Sequence, residues 1–347
     1  MSEIKTMEFK DDTLYLIDQR KLPISYEMFQ CKTYKDVDFA IKDMVVRGAP
    51  AIGAAAAYGV VLAAKEFINE DKDEFLYEMD KAMDVLNKSR PTAVNLMWAI
   101  RRMREVIERY KELPLNELYE RIKKEANNIY QEDINTNRSI GKVGNSIIPQ
   151  KATILTHCNA GALATVGYGT ALGVIREAFY SGKDIMVYAD ETRPRCQGGR
   201  LTAWELKMEG IPVKLIADSV AATLIRDGKI DVILVGADRI ALNGDTANKI
   251  GTFMLSVVAK VYNVPFYVVA PISTIDFEIK SGEEIVIEER EDRELTYIEN
   301  IRIAPEGIEV YNPAFDVTPY KNITGIITER GIIRPPYIDN ISKLKEA

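Results

Sequence analysis

Histidine is almost absent from this chain of 347 residues: His157 is its only one. A zinc or iron site built on histidine pairs is therefore excluded, and a Ser-His-Asp triad would have to use His157 itself. Cysteine is nearly as scarce. Cys31, Cys158 and Cys196 form an odd set without metal-ligand spacing, which fits free thiols in a reducing, cytoplasmic compartment. No apolar run is long enough to cross a bilayer; the alanine- and glycine-rich stretch 49–64 reads as a tightly packed buried helix. The first ten residues lack the apolar core of a secretory signal. Positive charge is not in excess either, because 45 Lys and Arg stand against 52 Asp and Glu for a net charge of -7. That balance argues against a nucleic-acid partner but leaves small anions open, since a few local cations can hold them. Internal repeats and low-complexity linkers are also missing.

What is present divides by period. Residues 7–18 alternate around Asp11-Asp12, predicting a small hairpin with a polar turn. From about 34 to 147 the period is helical, with segments at 34–46, 50–67, 73–88, 92–110 and a long one from 115 to 135 that can continue toward Ser146. Beyond Ile148-Pro149 short apolar strands at 152–157, 184–189, 213–217, 231–236 and 265–270 alternate with helices near 165–181, 200–209, 219–228 and 250–262. Continuous apolar strands joined by helices imply a parallel sheet covered on both faces. The expected class is α/β. A domain at 1–147 holds a small antiparallel β element plus a helical bundle, and a Rossmann-like, mostly parallel doubly wound domain occupies 148–347.

Cys158, Asp190, Asp218 and Asp238 each follow an apolar strand, where ligands bind in open α/β sheets. A carboxylate there is often only a helix cap or turn former, whereas a thiol is a poor cap. Cys158 is thus the least expected of the four without a chemical role. If the strand continues through 158, His157 and Cys158 point to opposite faces, so His157 reads as packed behind the strand. Gly167, Gly169 and Gly173 with Asp190 mimic a dinucleotide fingerprint, but they fall about ten residues past the strand rather than in its first turn. Close helix packing is the expected role of those glycines, and no cofactor is expected.

Two other breaks suit phosphate. In Arg47-Gly48-Ala49-Pro50 a guanidinium precedes a proline-led helix start with free backbone N–H groups, and Ser89-Arg90-Pro91 repeats the pattern. Either arginine alone reads as a surface ion pair; two such motifs favour an anion pocket. Residues 190–200 place three arginines, Gln197 and a double glycine before a helix, suited to a phosphate or a subunit contact. The loop 243–249 brings Asn248 and Lys249 near Asp238, leading into a helix at Gly251.

Taken together, RGAPAIG at 47–53, SRPTAVNL at 89–96, THCNAGALAT at 156–165, ETRPRCQGGRLTAWEL at 191–206, GADRI at 236–240 and NGDTANKIGT at 243–252 resemble the methylthioribose-1-phosphate isomerases. The likeness continues through 312–319 and 327–331. It implies an aldose-to-ketose conversion of 5-methylthioribose 1-phosphate to 5-methylthioribulose 1-phosphate in methionine salvage, without metal or cofactor. By motif it implies Cys158 and Asp238 as the catalytic pair and Arg47, Gly48, Ala49, Arg90, Gln197, Asn248 and Lys249 as substrate-binding positions. A cytoplasmic homodimer acting on a small sugar phosphate, with no nucleic-acid or membrane partner, completes the expectation.

The reaction constrains the roles. With phosphate on the anomeric oxygen, the ring cannot open by losing a hydroxyl proton, so an acid must protonate the ring oxygen. Asp238, after Val-Ile-Leu-Val-Gly-Ala, is placed for a carboxyl held neutral by an apolar site. Cys158 then either abstracts the C2 proton as a thiolate, which needs nearby positive charge or helix-terminal N–H groups, or stabilises a hydride crossing from C2 to C1. Related isomerases acting on 5-deoxyribose 1-phosphate or ribose 1,5-bisphosphate, and the non-catalytic regulatory subunits of a translation initiation factor, are the alternatives.

Overall fold

The structure, a computed structural model, describes residues 4–90, 93–298 and 300–345. Two compact units divide the chain: Met1–Ser139 with Ala160–Gly173, and Ile140–Asn159 with Val174–Ala347.

The first unit opens with strands β1 (Met7–Lys10), β2 (Thr13–Ile17) and β3 (Met28–Cys31) in one antiparallel sheet. Asp11 and Asp12 form the hairpin turn at φ 49° and 50°, left-handed at both central residues as a tight two-residue hairpin requires. Helices α1 (Tyr34–Lys42), α2 (Ala49–Glu66), α3 (Lys72–Asn87), α4 (Val94–Tyr110) and α5 (Leu115–Asn145) follow, α5 being counted in this unit only as far as Ser139. Thr33 and Asp36 close a capping box at the start of α1, and Asp71 caps α3. The small side chains of α2 leave almost its whole surface buried in the core, as expected of a helix apolar all round. Pro91, in the expected break, and Thr92, the first residue of the expected helix at 92–110, lie outside the described residues; α4 starts at Val94.

The second unit is built on β4 (Lys151–His157), α6 (Ala171–Tyr180), β5 (Asp184–Asp190), α7 (Ala203–Met208), β6 (Val213–Ile216), α8 (Val220–Arg226) and β7 (Val232–Val235). Then come β8 (Arg239–Ala241), β9 (Thr246–Lys249), α9 (Thr252–Val261), β10 (Phe266–Val269), β11 (Ile275–Asp276), α10 (Arg293–Thr296), β12 (Tyr297–Ile298) and β13 (Ile301–Arg302). The chain closes through β14 (Phe315–Thr318), β15 (Gly325–Thr328), β16 (Gly331–Ile333) and α11 (Tyr337–Ser342). Seven strands make one sheet in the order β16-β15-β10-β7-β4-β5-β6, parallel except for β16. Every residue of β7, β10 and β15 is buried, the signature of a sheet covered on both faces. The chain is thus a mixed α/β protein.

The order of this sheet positions the site. From β4 the chain proceeds through β5 and β6 to one side, then returns to lay down β7, β10 and β15 on the other. The switch point lies between β4 and β7, and open α/β sheets bind ligands at the carboxyl edge there.

Three local expectations are corrected. The helix expected from 165 begins only at Ala171, because the preceding residues form a short 3-10 turn at Ala162–Ala164 and a left-handed turn at Tyr168 and Gly169. Thr170 N and Leu172 N donate back to the Ala160 carbonyl, which occupies backbone groups a helix would need. For the same reason Gly167 and Gly169 serve a turn rather than helix packing. Finally, the polar segment before Gly251 is not all loop: β9 pairs with β8 and β14 in a second sheet of order β11-β8-β9-β14.

Candidate active site

In the second unit, β4 ends at His157, and Cys158 stands one residue beyond it at φ 65°. Strand alternation therefore does not extend to Cys158. A left-handed non-glycine residue costs on the order of 1 kcal/mol, and the surroundings hold it there. The Cys158 N–H donates to Thr192 Oγ1 at 2.8 Å, and its carbonyl accepts from Thr202 Oγ1 at 2.6 Å. Thr192 is itself at φ 65°. Its N–H and that of Arg193 donate to the two oxygens of Asp218 at 2.7 and 2.8 Å. Asp218 is thus a turn former.

The next residue, Asn159, is gripped from the other side. Its Nδ2 donates to Glu205 Oε1 at 2.8 Å, and Glu205 Oε2 pairs with Arg176 at 2.7 Å. Arg176 also engages Glu209 at 2.7 Å. Burial works against the charge on Arg176, but the two glutamates more than offset it and raise its pKa. Glu205 lies within the motif at 191–206, which gave it no role of its own, whereas Arg176 on α6 and Glu209 just after α7 lie outside every motif.

His157 is buried, with Nδ1 2.9 Å from Asp190 Oδ2 and Nε2 2.9 Å from the Ile250 carbonyl. Both ring nitrogens are occupied, so the ring is not placed to take a proton from Cys158. A Cys-His-Asp arrangement is thereby excluded. His157, Asp190 and Asp218 bring ligand-type atoms within 4.8 Å of one another. However, both histidine nitrogens and both Asp218 oxygens already have partners within the protein, so the cluster does not present itself as a metal centre.

Asp238 follows β7, the strand beside β4, and His157 and Val235 are register partners across that pair. Cys158 and Asp238 therefore leave adjacent strands on either side of the switch point. Asp238 is half-buried, and its N–H donates to the Ala247 carbonyl at 2.9 Å. Arg239 pairs with Ala247, and continuing that antiparallel register places Asp238 opposite Asn248. Asn248 Nδ2 donates to Thr252 Oγ1 at 3.0 Å. Lys249 Nζ donates to the Ala314 carbonyl at 2.9 Å and lies 4.2 Å from the centre of the Phe315 ring. Gln197 is buried, with no hydrogen-bond partner for Oε1 among the described residues. It leads into a π turn at Gly198–Thr202 that runs on into α7, an irregularity common at functional sites. A Cβ on Gly198 would lie 1.7 Å from the Asp190 carbonyl oxygen.

The remaining positions belong to the first unit. Gly48 is the N-cap of α2 at φ 93°, and a Cβ there would lie 2.5 Å from Ala164 Cα. Only glycine meets both demands. Ala49 is the first helical residue, with Pro50 behind it. Arg47 beside this helix start and Arg90 in the turn after α3 are both half-buried.

The Initiation factor 2 subunit family matches residues 45–335. Methylthioribose-1-phosphate isomerase of Thermoanaerobacter sp. (strain X514) is 75% identical over 99% of this chain and 100% of its own length. That of Thermotoga neapolitana is 58% identical over 98% of each chain. The crystal structure of 5-methylthioribose 1-phosphate isomerase from Pyrococcus horikoshii OT3 superposes with a TM-score of 0.93 at 48% identity, covering 99% of this chain and 96% of that one. A structure from A. fulgidus, described as translation initiation factor eIF-2B subunit delta, gives 0.88 at 46% identity over 99% and 100%. The chain belongs to the methylthioribose-1-phosphate isomerases, enzymes within the Initiation factor 2 subunit family.

Proposed function

We propose that this enzyme converts 5-methylthioribose 1-phosphate to 5-methylthioribulose 1-phosphate, with Asp238 and Cys158 carrying the chemistry. One observation carries the assignment of roles: these two side chains leave the adjacent strands β4 and β7 at the switch point of the sheet. Asp238 as a neutral carboxylic acid protonates the ring oxygen as the ring C–O bond breaks. Cys158 then removes the C2 proton, which returns to C1, or stabilises the reacting centre while hydride crosses. Arg47, the backbone at Gly48 and Ala49, Arg90, Gln197, Asn248 and Lys249 bind the substrate. The buried amide of Gln197 and the buried ammonium of Lys249 support this, because ready-made polar groups at a strand edge give a sugar phosphate its orientation.

The test is turnover followed by NMR against three substrates: methylthioribose 1-phosphate, 5-deoxyribose 1-phosphate and ribose 1,5-bisphosphate. Conversion of the first is expected. Robust turnover of another with none of the first would overturn the substrate assignment. Running the reaction in deuterated water separates the two routes, since solvent deuterium at C1 eliminates a pure hydride shift. The likeness to the A. fulgidus initiation-factor structure favours a non-catalytic regulatory subunit as the second reading, which requires no turnover of any sugar phosphate. A homodimer working in the cytoplasm is part of the same proposal; light scattering that gives the mass of a single chain would remove the dimer.

A further inference from the structure

His157 faces the Ile250 carbonyl at Nε2, which can only accept, and the Asp190 carboxyl at Nδ1, each 2.9 Å away. A neutral imidazole has one N–H to offer, so the pair as a whole must hold one additional proton. Ile250 is not an arbitrary acceptor. It directly follows Asn248 and Lys249, and it precedes Gly251, which sits at φ 104° and where a Cβ would crowd His157 Cε1 at 3.0 Å. The backbone of that turn thus lies on the histidine ring. Asp316 also holds this turn, accepting from Gly251 N at 2.7 Å and Phe253 N at 3.0 Å.

We propose that His157 is a positioning residue for the isomerase reaction: as an imidazolium paired with Asp190, it fixes the turn at Ile250–Gly251, and with it the end of β9 bearing Asn248 and Lys249, to the strand end bearing Cys158. The inference rests on the isomerase reading for its functional consequence, but not for the clamp itself. Among the described residues, Asp190 from β5 and Asp218 after β6 act on the ring, and Asp316 from β14 feels both His157 and Lys249 of β9. Burial alone would push His157 down; the bond and charge of Asp190 and the Ile250 carbonyl outweigh it and raise it. Burial also raises Asp190, and His157 offsets this only in part. Both directions mean one thing, that the pair holds its proton more firmly than either group alone. Asp190 Oδ1 is buried without a hydrogen bond among the described residues, so histidine is the partner through which that carboxylate is compensated.

The single histidine makes the test direct. In the full-length enzyme with ¹⁵N-labelled histidine, both ring nitrogens should carry protons from pH 6 to 8; a ring with one N–H in that range overturns the proposal, whether or not the enzyme is active. His157→Gln alone strands a buried carboxylate and can unfold the chain, so the second arm is the His157→Gln/Asp190→Asn double variant, which removes both charges. It should stay folded, lose at least tenfold in kcat and exchange the amides of 247–253 at least tenfold faster, with β10 unchanged. Unaltered exchange, or full turnover, overturns the clamp. A wild type inactive on all three sugar phosphates would defeat the functional reading alone, leaving the histidine spectrum and the exchange rates to decide the clamp.

Discussion

Cys158 and Thr192 hold each other in the same unfavourable backbone region: both are at φ 65°, and the Thr192 hydroxyl accepts the Cys158 N–H at 2.8 Å. Thr192 is in turn fixed by Asp218 from the next strand end. The thiol is therefore aimed by its backbone and not by a neighbouring base.

Thr192→Val strands the buried Cys158 N–H and should cost about 1–3 kcal/mol. Thr192→Ser keeps the acceptor and should stay within about 1 kcal/mol of wild type. Urea denaturation of the pair checks this, and equal loss in both would show that the hydroxyl is not what holds Cys158.

At Cys158 itself, the left-handed backbone predicts a reversal of the usual order of substitutions. Cys158→Gly should be more stable than Cys158→Ala by on the order of 1 kcal/mol, with both inactive. Thermal unfolding of the two variants decides it.

Asp133 on α5 gives the first unit a pH dependence. It accepts from Val166 N at 2.7 Å and Asn137 Nδ2 at 3.0 Å, yet burial pushes its carboxyl up to about 7 from 3.8. Between those two values the folded chain keeps a proton that the unfolded chain has released. This contribution to stability is therefore full below pH 3.8 and is lost as pH rises through about 7. Asp133→Asn keeps both bonds through its amide oxygen and should be more stable than wild type at pH 8 by a few kcal/mol, with a flatter profile. A wild-type and variant pair with parallel profiles would contradict the assignment.

Arg176→Met leaves the buried Glu205 and the half-buried Glu209 without their cation, and should cost about 3–5 kcal/mol. Adding Glu205→Gln and Glu209→Gln should return much of that loss. Denaturation midpoints of the single and triple variants check whether stranded charge, and not lost packing, is the cause.

Legibility followed the strength of each local signal. The five strands of continuous apolar residues and their helices stood out by period, and the strand ends at Cys158 and Asp238 were visible because polar residues interrupt those runs. β8, β9, β11 and β14 were not, since strands of 2–4 residues carrying Asn248, Lys249 and Asp316 have no apolar period to read. Asp190 and Asp218 looked alike in sequence, each following a strand. Only long-range pairing separates them, the one compensated by His157 and the other by two backbone amides. The left-handed turn at Cys158 is likewise set by Thr192, 34 residues away, and no local pattern encodes it.

On the proposed reading, Cys158 and Asp238 perform the isomerisation. NMR turnover of methylthioribose 1-phosphate by wild type, Cys158→Ser and Asp238→Asn, each checked for native circular dichroism, tests it most directly. Wild type should form methylthioribulose 1-phosphate while each variant, still folded, loses at least about a hundredfold in rate. Wild-type rates in either folded variant would contradict the role given to that residue.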